Sequence, residues 1–278
     1  MIGFEDGLNI TDELAEVLAA DAKRTYWSTG FHFLRTHAGL RPGKLHLFLG
    51  PTHAGKSTIV RSIVADIARM NLGNPKFKKI LIWLSEESRI DFLTEFIRVK
   101  TDKNMLSKFH VLSEQDDYIQ KMKDRTITST FMHEAQAADM VIFDNITTSQ
   151  IYMDKNFDVQ STMAKLFKKV ARVANVPIVL IAHTKAGINE GYKGLIENDD
   201  IRGSKTLPNL CEFLYTLQGI RMRERFYPTI RILKHRGQNV DHKLYVLNYD
   251  HKRGIYDFDT RMKFEDFKGL WKERDKLS

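Results

Sequence analysis

The sequence predicts an α/β fold with a mainly parallel central sheet and antiparallel hairpins toward the C-terminus. Over most of the 278-residue chain, short and fully apolar runs alternate with stretches of helical periodicity. Such runs are typical of strands that helices cover on both faces of a parallel sheet. From about residue 213 the apolar runs follow one another closely, with turn residues such as GQN and HKRG between them. That spacing predicts hairpins.

The stretch ITDELAEVLAADAKRT at residues 10–25 predicts the first element, a helix. Thr11 can serve as its N-cap, and leucine and valine side chains at helical spacing form an apolar stripe. No repeat, low-complexity tract or obvious linker divides the rest of the sequence. We therefore expect a short N-terminal helical arm at 1–27, one core domain at 28–260 and a basic tail at 261–278.

Four apolar runs predict the parallel strands that follow the arm: LHLFL at 45–49, KILIWL at 79–84, MVIFD at 140–144 and PIVLIA at 177–182. Helical periodicity follows three of them, in KSTIVRSIVADIARM, in DFLTEFIRVK and at residues 157–174. We expect the C-terminal hairpins to be built from FLYTLQ, PTIRILKHR, KLYVLNYD and GIYDFD.

Composition excludes several classes of protein. Lys and Arg total 43 against 35 for Asp and Glu, a net charge of +8 that suits an anionic partner without establishing nucleic acid. One cysteine, Cys211, excludes an intrachain disulfide, and no Cys/His cluster has the spacing of a zinc site. The apolar runs are too short to cross a bilayer, and the acidic N-terminus lacks the layout of an export signal. We expect a soluble, cytoplasmic protein without a membrane partner.

The octapeptide GPTHAGKS fits the phosphate-loop pattern G-x-x-x-x-G-K-[ST]. Its glycines let backbone N–H groups point at phosphate oxygens, helped by the N-terminus of the following helix. The lysine would reach the β- and γ-phosphates, and the serine would ligate Mg²⁺. A chance glycine-rich turn is the alternative, but the order strand, loop, helix favours a nucleotide. The predicted ATP-binding residues are Gly50, Pro51, Thr52, His53, Ala54, Gly55, Lys56, Ser57 and Thr58.

Polar side chains end three other apolar runs. Asp144 would hold the Mg²⁺ water shell opposite Ser57, although an Asp after a strand is often a turn residue. One of Glu86 and Glu87 would orient and deprotonate the attacking water, while the other begins the next helix; the residues alone leave open which does which. His183 is expected to contact the γ-phosphate, with a structural histidine as the alternative.

Several motifs together resemble the RecA-like ATPase domain of DnaB-type ring helicases, and most closely the phage T7-like replicative helicase branch. They are STGFHFLRTHAGLRPGKLHLFLGPTHAGKST, WLSEES, VLIAHTK, DIRGSKTLPNLCEFLYTL and RILKHRGQ, in this order over residues 28–259. The resemblance implies a RecA-like P-loop NTPase core with a mainly parallel sheet. It also implies that the catalytic glutamate of WLSEES is Glu86 rather than Glu87, and that His183 lies on the sensor strand.

The resemblance implies a ring, commonly of six subunits, that binds ATP at each subunit boundary and moves 5′ to 3′ along single-stranded DNA. Lys234 and Arg236 match the K-x-R positions and would act in trans on the neighbour's γ-phosphate. Tyr249 falls where the T7-like branch has an aromatic side chain against the nucleotide base. Without the resemblance, KHR would be an exposed basic face and Tyr249 a core residue.

The segment TKAGINEGYKGLIENDDIRGSK resembles the family's channel loop, which grips the backbone of single-stranded DNA. Lys185 and Lys193 are the candidate phosphate contacts, and Arg202 is a further one. A solvated surface loop is the alternative, and the acidic IENDD within the segment favours it.

The sequence also departs from the family pattern. Family helicases usually carry an additional N-terminal domain, whereas about 27 residues precede the core here. Gly237 follows Arg236 where an aromatic residue often occurs, and Lys205 replaces a small residue. These departures concern unwinding rather than ATP hydrolysis. Two other functions stay open: a RecA-like recombinase or strand-annealing ATPase that does not unwind, and a regulatory ATPase with a protein partner. A primase or a loader is a further expected partner.

Overall fold

A computed structural model of the chain describes residues 29–35, 39–98, 103–120, 124–152, 156–185, 195–222, 225–237, 240 and 244–262. The helix predicted at 10–25 and the candidate DNA contact Lys193 lie outside the described residues, as does nearly all of the predicted basic tail. The division into arm, core and tail therefore stays a prediction.

The described residues form a nine-stranded sheet with the order β3-β2-β4-β5-β1-β6-β7-β8-β9. The six strands from β3 to β6 in that order are parallel, and the last three are joined by antiparallel pairing. This is the predicted fold class. The strands are β1 Leu45–Gly50, β2 Ile80–Leu84, β3 Phe109–Ser113, β4 Met140–Asp144, β5 Ile178–His183, β6 Phe213–Met222, β7 Arg225–His235, β8 Leu244–Asp250 and β9 Ile255–Met262.

Helices follow most of the parallel strands. They are α1 His32–Arg35, α2 Lys56–Met70, α3 Arg89–Arg98, α4 Lys103–Leu106, α5 Asp117–Gln120, α6 Asp124–Gln136, α7 Phe157–Ala174 and α8 Thr206–Leu210, with a 3₁₀ turn at Asn198–Asp200. The longest, α7, has the predicted bounds. The Asn156 side chain accepts a hydrogen bond from the Asp158 N–H at 2.8 Å, and Asn175 ends the helix in the left-handed conformation.

Both faces of the sheet carry a buried core, which explains why β1 is an unbroken apolar run. Phe48 points to the face covered by α2, and Leu47 and Leu49 point to the face covered by α7. Because successive side chains alternate between faces, a strand that is covered on both sides can spare no position for a solvated residue. Cys211 is a free and fully buried thiol in the second core, as its apolar surroundings predict.

The sequence patterns overlooked the edge strand β3 and the helix α6 that follows it. β3 has the sequence FHVLS, and its first two residues are only partly buried. An edge strand pairs on one side and is covered less fully, so it lacks the apolar signature that identifies β2 and β4. No helix within the described ranges combines the length and the apolar character that crossing a bilayer requires.

Candidate active site

The parallel topology brings four predicted site residues to one edge of the sheet. β2, β4, β5 and β1 are neighbours and run in the same direction. In their registers Gly50 pairs with His183, and Leu84, two residues before Glu86, pairs with Asp144. The carboxyl edge of a parallel sheet is where α/β proteins bind ligands. Residues from four distant parts of the sequence therefore line one crevice.

The phosphate loop leaves β1 at Gly50 and enters α2 at Lys56. Gly55 has a φ of 84°, in the left-handed region that favours glycine. Gly50 is needed for a different reason, since a Cβ there would come within 2.6 Å of the Leu217 carbonyl oxygen. Thr52 and His53 at the tip of the loop are exposed. The loop therefore has a backbone that only this glycine pattern allows.

Lys56 lies almost completely buried under the loop, with 5% of its surface exposed. Its Nζ donates a hydrogen bond to the Pro51 carbonyl oxygen at 2.5 Å. Burial lowers the pKa of Lys56 to about 8, and the nearby Asp144 and Glu86 carboxylates oppose that shift. A triphosphate in the loop would favour the charged form of this ammonium group.

Ser57 and Asp144 have the chemistry of a magnesium site. The Ser57 hydroxyl hydrogen-bonds the buried Asp144 carboxyl, whose pKa is raised chiefly by burial. Mg²⁺ in nucleotide sites takes one or two protein oxygens and completes its shell with phosphate oxygens and water. Among the described residues, no group of three or more His, Cys, Asp or Glu side chains could hold a metal by itself. The pair thus fits a metal that arrives with the nucleotide.

Glu86 points into the crevice. The Asn145 Nδ2 donates to its Oε1 at 2.9 Å, and the His183 Nε2 lies 3.4 Å from the same oxygen. The hydrogen bond with His183, with help from the Thr148 hydroxyl and Lys56, holds the pKa of Glu86 below its usual range. The side chain is half exposed. An ionised carboxylate that is oriented by its neighbours and open to water suits a general base.

Glu87 turns the other way. Its carboxylate forms an ion pair with Arg61 on α2, and its carbonyl oxygen accepts a hydrogen bond from the Ser113 hydroxyl at 2.7 Å. The Arg61 guanidinium also lies 5.1 Å from the centre of the Phe92 ring. Burial raises the pKa of Glu87, against the opposing effect of Arg61. The geometry thus separates two glutamates that the sequence alone could not separate.

Asn145 is a site residue that the sequence patterns overlooked. Its Nδ2 contacts Glu86, and its Oδ1 accepts hydrogen bonds from the backbone N–H and the hydroxyl of Thr147, at 2.7 and 2.6 Å. The Thr147 hydroxyl in turn accepts the His183 N–H at 3.3 Å. The ends of β4 and β5 are therefore joined through one side chain that also holds Glu86. Its position directly after Asp144 was the available signal.

Lys234 and Arg236 lie at the opposite edge of the sheet. Phe213, the first residue of β6, pairs with His46 of β1 and with the last residue of β7. Gly50 is four residues further along β1, about 13 Å at the usual rise of a strand. Two strands of lateral distance add to that separation. Neither cation can reach the phosphate loop of its own chain.

Both cations contact the end of helix α8. The Lys234 Nζ donates to the carbonyl oxygens of Pro208 and Asn209, at 2.9 and 3.0 Å, and Arg236 donates to the Asn209 carbonyl oxygen at 3.4 Å. Burial, and then the charge of Arg236, lower the pKa of Lys234. The Arg236 side chain is exposed and belongs to a residue just past the end of β7.

Tyr249 lies beside the phosphate loop of its own chain. Its ring is 38% exposed and is 5.3 Å from the ring of Tyr256, whose hydroxyl rests on Gly55. The core position expected for an isolated strand tyrosine therefore does not apply here. The exposed ring is available to a ligand that is bound through the loop.

The candidate DNA contacts that the structure describes are exposed and flank the end of β5. The backbone N–H of Arg202 donates to the His183 carbonyl oxygen at 2.9 Å, so Arg202 is connected to the crevice. Lys185 donates its Nζ to the Asp199 carbonyl oxygen, and Lys205 forms an ion pair with the Asp199 carboxylate at 2.8 Å. The acidic stretch therefore offsets the charge of Lys205, while the Lys185 ammonium group is held by a neutral carbonyl.

Comparison with solved structures shows a RecA-like fold. The ATPase domain of a DnaB-type helicase matches with a TM-score of 0.69 at 13% sequence identity, over 89% of this chain and 96% of that one. The RadB recombinase matches with a TM-score of 0.59 at 16% identity, over 84% of this chain and 99% of that one. No protein-family model and no curated protein matches the sequence. The likeness is therefore one of fold.

Proposed function

We propose that this chain hydrolyses ATP with Mg²⁺ at the boundaries between subunits of a ring, and that hydrolysis moves the ring along single-stranded DNA. The proposal names a motor of the DnaB-type helicase class. The observation that carries it is the separation of the candidate machinery between two edges of one sheet. Lys56, Asp144 and Glu86 lie at one edge, and Lys234 and Arg236 lie at the other.

The residues at the carboxyl edge have complementary roles in this proposal. Lys56 neutralises charge on the β- and γ-phosphates, and Ser57 and Asp144 hold the Mg²⁺, which would polarise the γ-phosphate. Glu86 orients the attacking water and accepts its proton, while His183 and Asn145 keep the Glu86 carboxylate aimed. Because Glu86 is held ionised, it is ready to accept a proton at neutral pH.

The cations at the opposite edge act on a neighbouring subunit in this proposal. Arg236 reaches the neighbour's γ-phosphate and stabilises negative charge in the transition state, and Lys234 supports it. Both must come to a phosphate loop that belongs to another copy, because their own lies beyond reach. Hydrolysis then depends on how adjacent subunits sit, which couples chemistry to movement.

The DNA contacts follow from position and charge. Lys185 and Arg202 are exposed on the segment that continues from β5, and the Arg202 backbone is hydrogen-bonded to His183. A contact between Arg202 and a DNA phosphate would therefore act two hydrogen bonds away from Glu86. Lys193 belongs to the same proposed interface. Six subunits, 5′ to 3′ movement and a primase or loader partner are further parts of the proposal that rest on the sequence resemblance.

A recombinase is the second candidate, because the RadB recombinase shares the fold. It would coat single-stranded DNA and promote strand pairing without unwinding. A forked duplex with ATP separates the two functions. We expect strand separation that needs ATP and a single-stranded tail; pairing of complementary strands without separation would favour the recombinase.

Turnover of ATP with and without a single-stranded oligonucleotide tests the motor itself. We expect stimulation by the oligonucleotide, and we expect the DNA affinity to fall steeply as salt rises from about 50 to about 200 mM. Turnover that ignores DNA would instead support a regulatory ATPase. Images of negatively stained particles with both ligands should show closed rings, and a strictly monomeric ATPase of full activity would contradict the proposal.

A further inference from the structure

Tyr256 is a second tyrosine at the phosphate loop, and no sequence pattern singles it out. It lies on β9 with 5% of its surface exposed. A Cβ built on Gly55 would come 2.6 Å from the Tyr256 hydroxyl oxygen and 3.5 Å from its Cζ. The hydroxyl therefore rests on the glycine that opens α2. Gly55 must lack a side chain for this contact as well as for its positive φ.

The position of Tyr256 relative to the loop is fixed independently of its ring. Its backbone N–H donates a hydrogen bond to the Ser62 hydroxyl at 3.0 Å. That hydroxyl donates to the Thr58 carbonyl oxygen at 2.7 Å, in the first turn of α2. The start of β9 is thus attached to the helix that carries the loop. A movement of either one displaces the other.

A row of aromatic rings leads outward from Gly55. The Tyr256 ring lies 5.3 Å from the Tyr249 ring at an angle of 64°, and His251 lies 4.9 Å from Tyr249 at 90°. Tyr249 is the more exposed of the two tyrosines. Edge-to-face contacts of this kind orient both rings. Tyr256 therefore touches the phosphate loop with its hydroxyl and the exposed ring with its own ring.

The chemistry of Tyr256 suits a place next to a triphosphate. Burial, and then the neighbouring Tyr249, raise the pKa of Tyr256 to about 12. The phenol consequently stays neutral throughout the physiological range and adds no negative charge beside the phosphates. A neutral O–H can also donate a hydrogen bond, which a phenolate cannot.

We propose that Tyr256 is a positioning residue of the nucleotide site, which holds the Gly55 turn in its phosphate-binding shape and orients Tyr249 toward the base. This inference rests on the proposed nucleotide site and adds a division of labour to it. Tyr256 acts on the phosphates through the loop. Tyr249 contacts the base and has no part in binding the phosphates.

Two variants and two ligands test this division. The ligands are ATP and inorganic tripolyphosphate, each with Mg²⁺, and their affinities are measured by isothermal titration calorimetry. Tyr256→Phe removes only the hydroxyl, and we expect both affinities to fall by about three- to tenfold, as for the loss of one hydrogen bond. Tyr249→Ala should weaken ATP by about tenfold through lost stacking and leave tripolyphosphate unchanged.

Tyr215→Phe is the matched control, because it removes a buried tyrosine hydroxyl that faces His46 near the start of β1. It should leave both affinities unchanged. An equal loss in Tyr215→Phe would overturn the inference, since the effect would then be one of general stability.

Other outcomes also decide the matter. Unchanged tripolyphosphate binding in Tyr256→Phe overturns the inference, whether or not ATP binding falls, because the hydroxyl would then not act through the loop. If the unaltered protein binds neither ligand, the proposed function itself is wrong. That result is distinguishable from all the others because it needs no variant.

Discussion

The two edges of the central sheet differ in how their charges are balanced. At the carboxyl edge, the buried Lys56 lies close to two carboxylates of its own chain, Asp144 and Glu86. At the opposite edge, the described hydrogen bonds of Lys234 and Arg236 go to carbonyl oxygens rather than to carboxylates. One edge contains acids and a base in balance, whereas the other presents cations.

The buried carboxylate at the second edge, Glu212, does not change that picture. Glu212 forms an ion pair with Lys168, and its second oxygen accepts the Leu45 N–H at 3.1 Å. It is therefore engaged within the core. The comparison teaches that the first edge is built to receive a ligand in cis, while the second edge presents positive charge to an anion that another molecule could supply.

The largest effect is expected at the first edge, from Lys56→Ala. Turnover should fall at least about a thousandfold and ATP affinity should fall as well, because the change removes the buried charge aimed at the phosphates. Phosphate release and calorimetry measure the two effects. Lys169→Ala, which removes an exposed lysine of α7, is the control and should stay within about twofold of the unaltered protein. Turnover within about tenfold of normal in Lys56→Ala would remove the loop from the mechanism.

At the second edge, Arg236→Ala should lower turnover by about a thousandfold while ATP affinity stays within about twofold. The reason is that Arg236 is too far from its own phosphate loop to help bind the nucleotide there. Single-turnover hydrolysis and calorimetry separate the two quantities. A loss of ATP affinity equal to that of Lys56→Ala would mean that both edges serve the same bound nucleotide.

Mixing the two inactive variants tests the comparison directly. A boundary between one subunit of Arg236→Ala and one of Lys56→Ala can combine an intact loop with an intact Arg236. We expect part of the activity to return, with a maximum at intermediate ratios. Mixtures that stay inactive at every ratio would contradict the assignment of Arg236 to the neighbouring site.

Local sequence was enough to predict most of the first edge. The phosphate loop and Asp144 follow directly from buried strands, and the order of a strand and its next residues fixes where those residues emerge. The parallel sheet was predictable for the same reason, since strands covered on both faces leave unbroken apolar runs.

Contacts between distant parts of the chain decided the rest. Glu86 and Glu87 are adjacent, and only the ion pair of Glu87 with Arg61, 26 residues away, assigns them different directions. Tyr256 reaches Gly55 because β9 packs on α2, which no spacing in the sequence reveals. The half-covered edge strand β3 lacked a pattern because one of its sides makes no demand on it.

The two glutamates give a sharper prediction of intermediate size. Glu86→Gln should lower turnover by about a hundredfold with ATP affinity retained, because the amide keeps the shape but cannot accept the proton. Glu87→Gln should stay within about threefold in turnover. Its effect should appear instead as a lower melting temperature, since it weakens the partly buried contact with Arg61. Equal losses of turnover in both variants would contradict the separation of their roles.

The smallest effect concerns pH and depends on Lys56 being charged when the nucleotide binds. Its pKa in the empty site is about 8, so the ammonium form becomes scarce above that pH, and ATP must draw a proton onto it. Affinity should therefore fall by about tenfold between about pH 7 and 9, with net proton uptake near about pH 8.5. Calorimetry in buffers of different ionisation enthalpy measures that uptake. Lys56→Ala should abolish it, and affinity that stays constant up to about pH 9.5 would show that Lys56 is charged in the empty site, as an exposed lysine is.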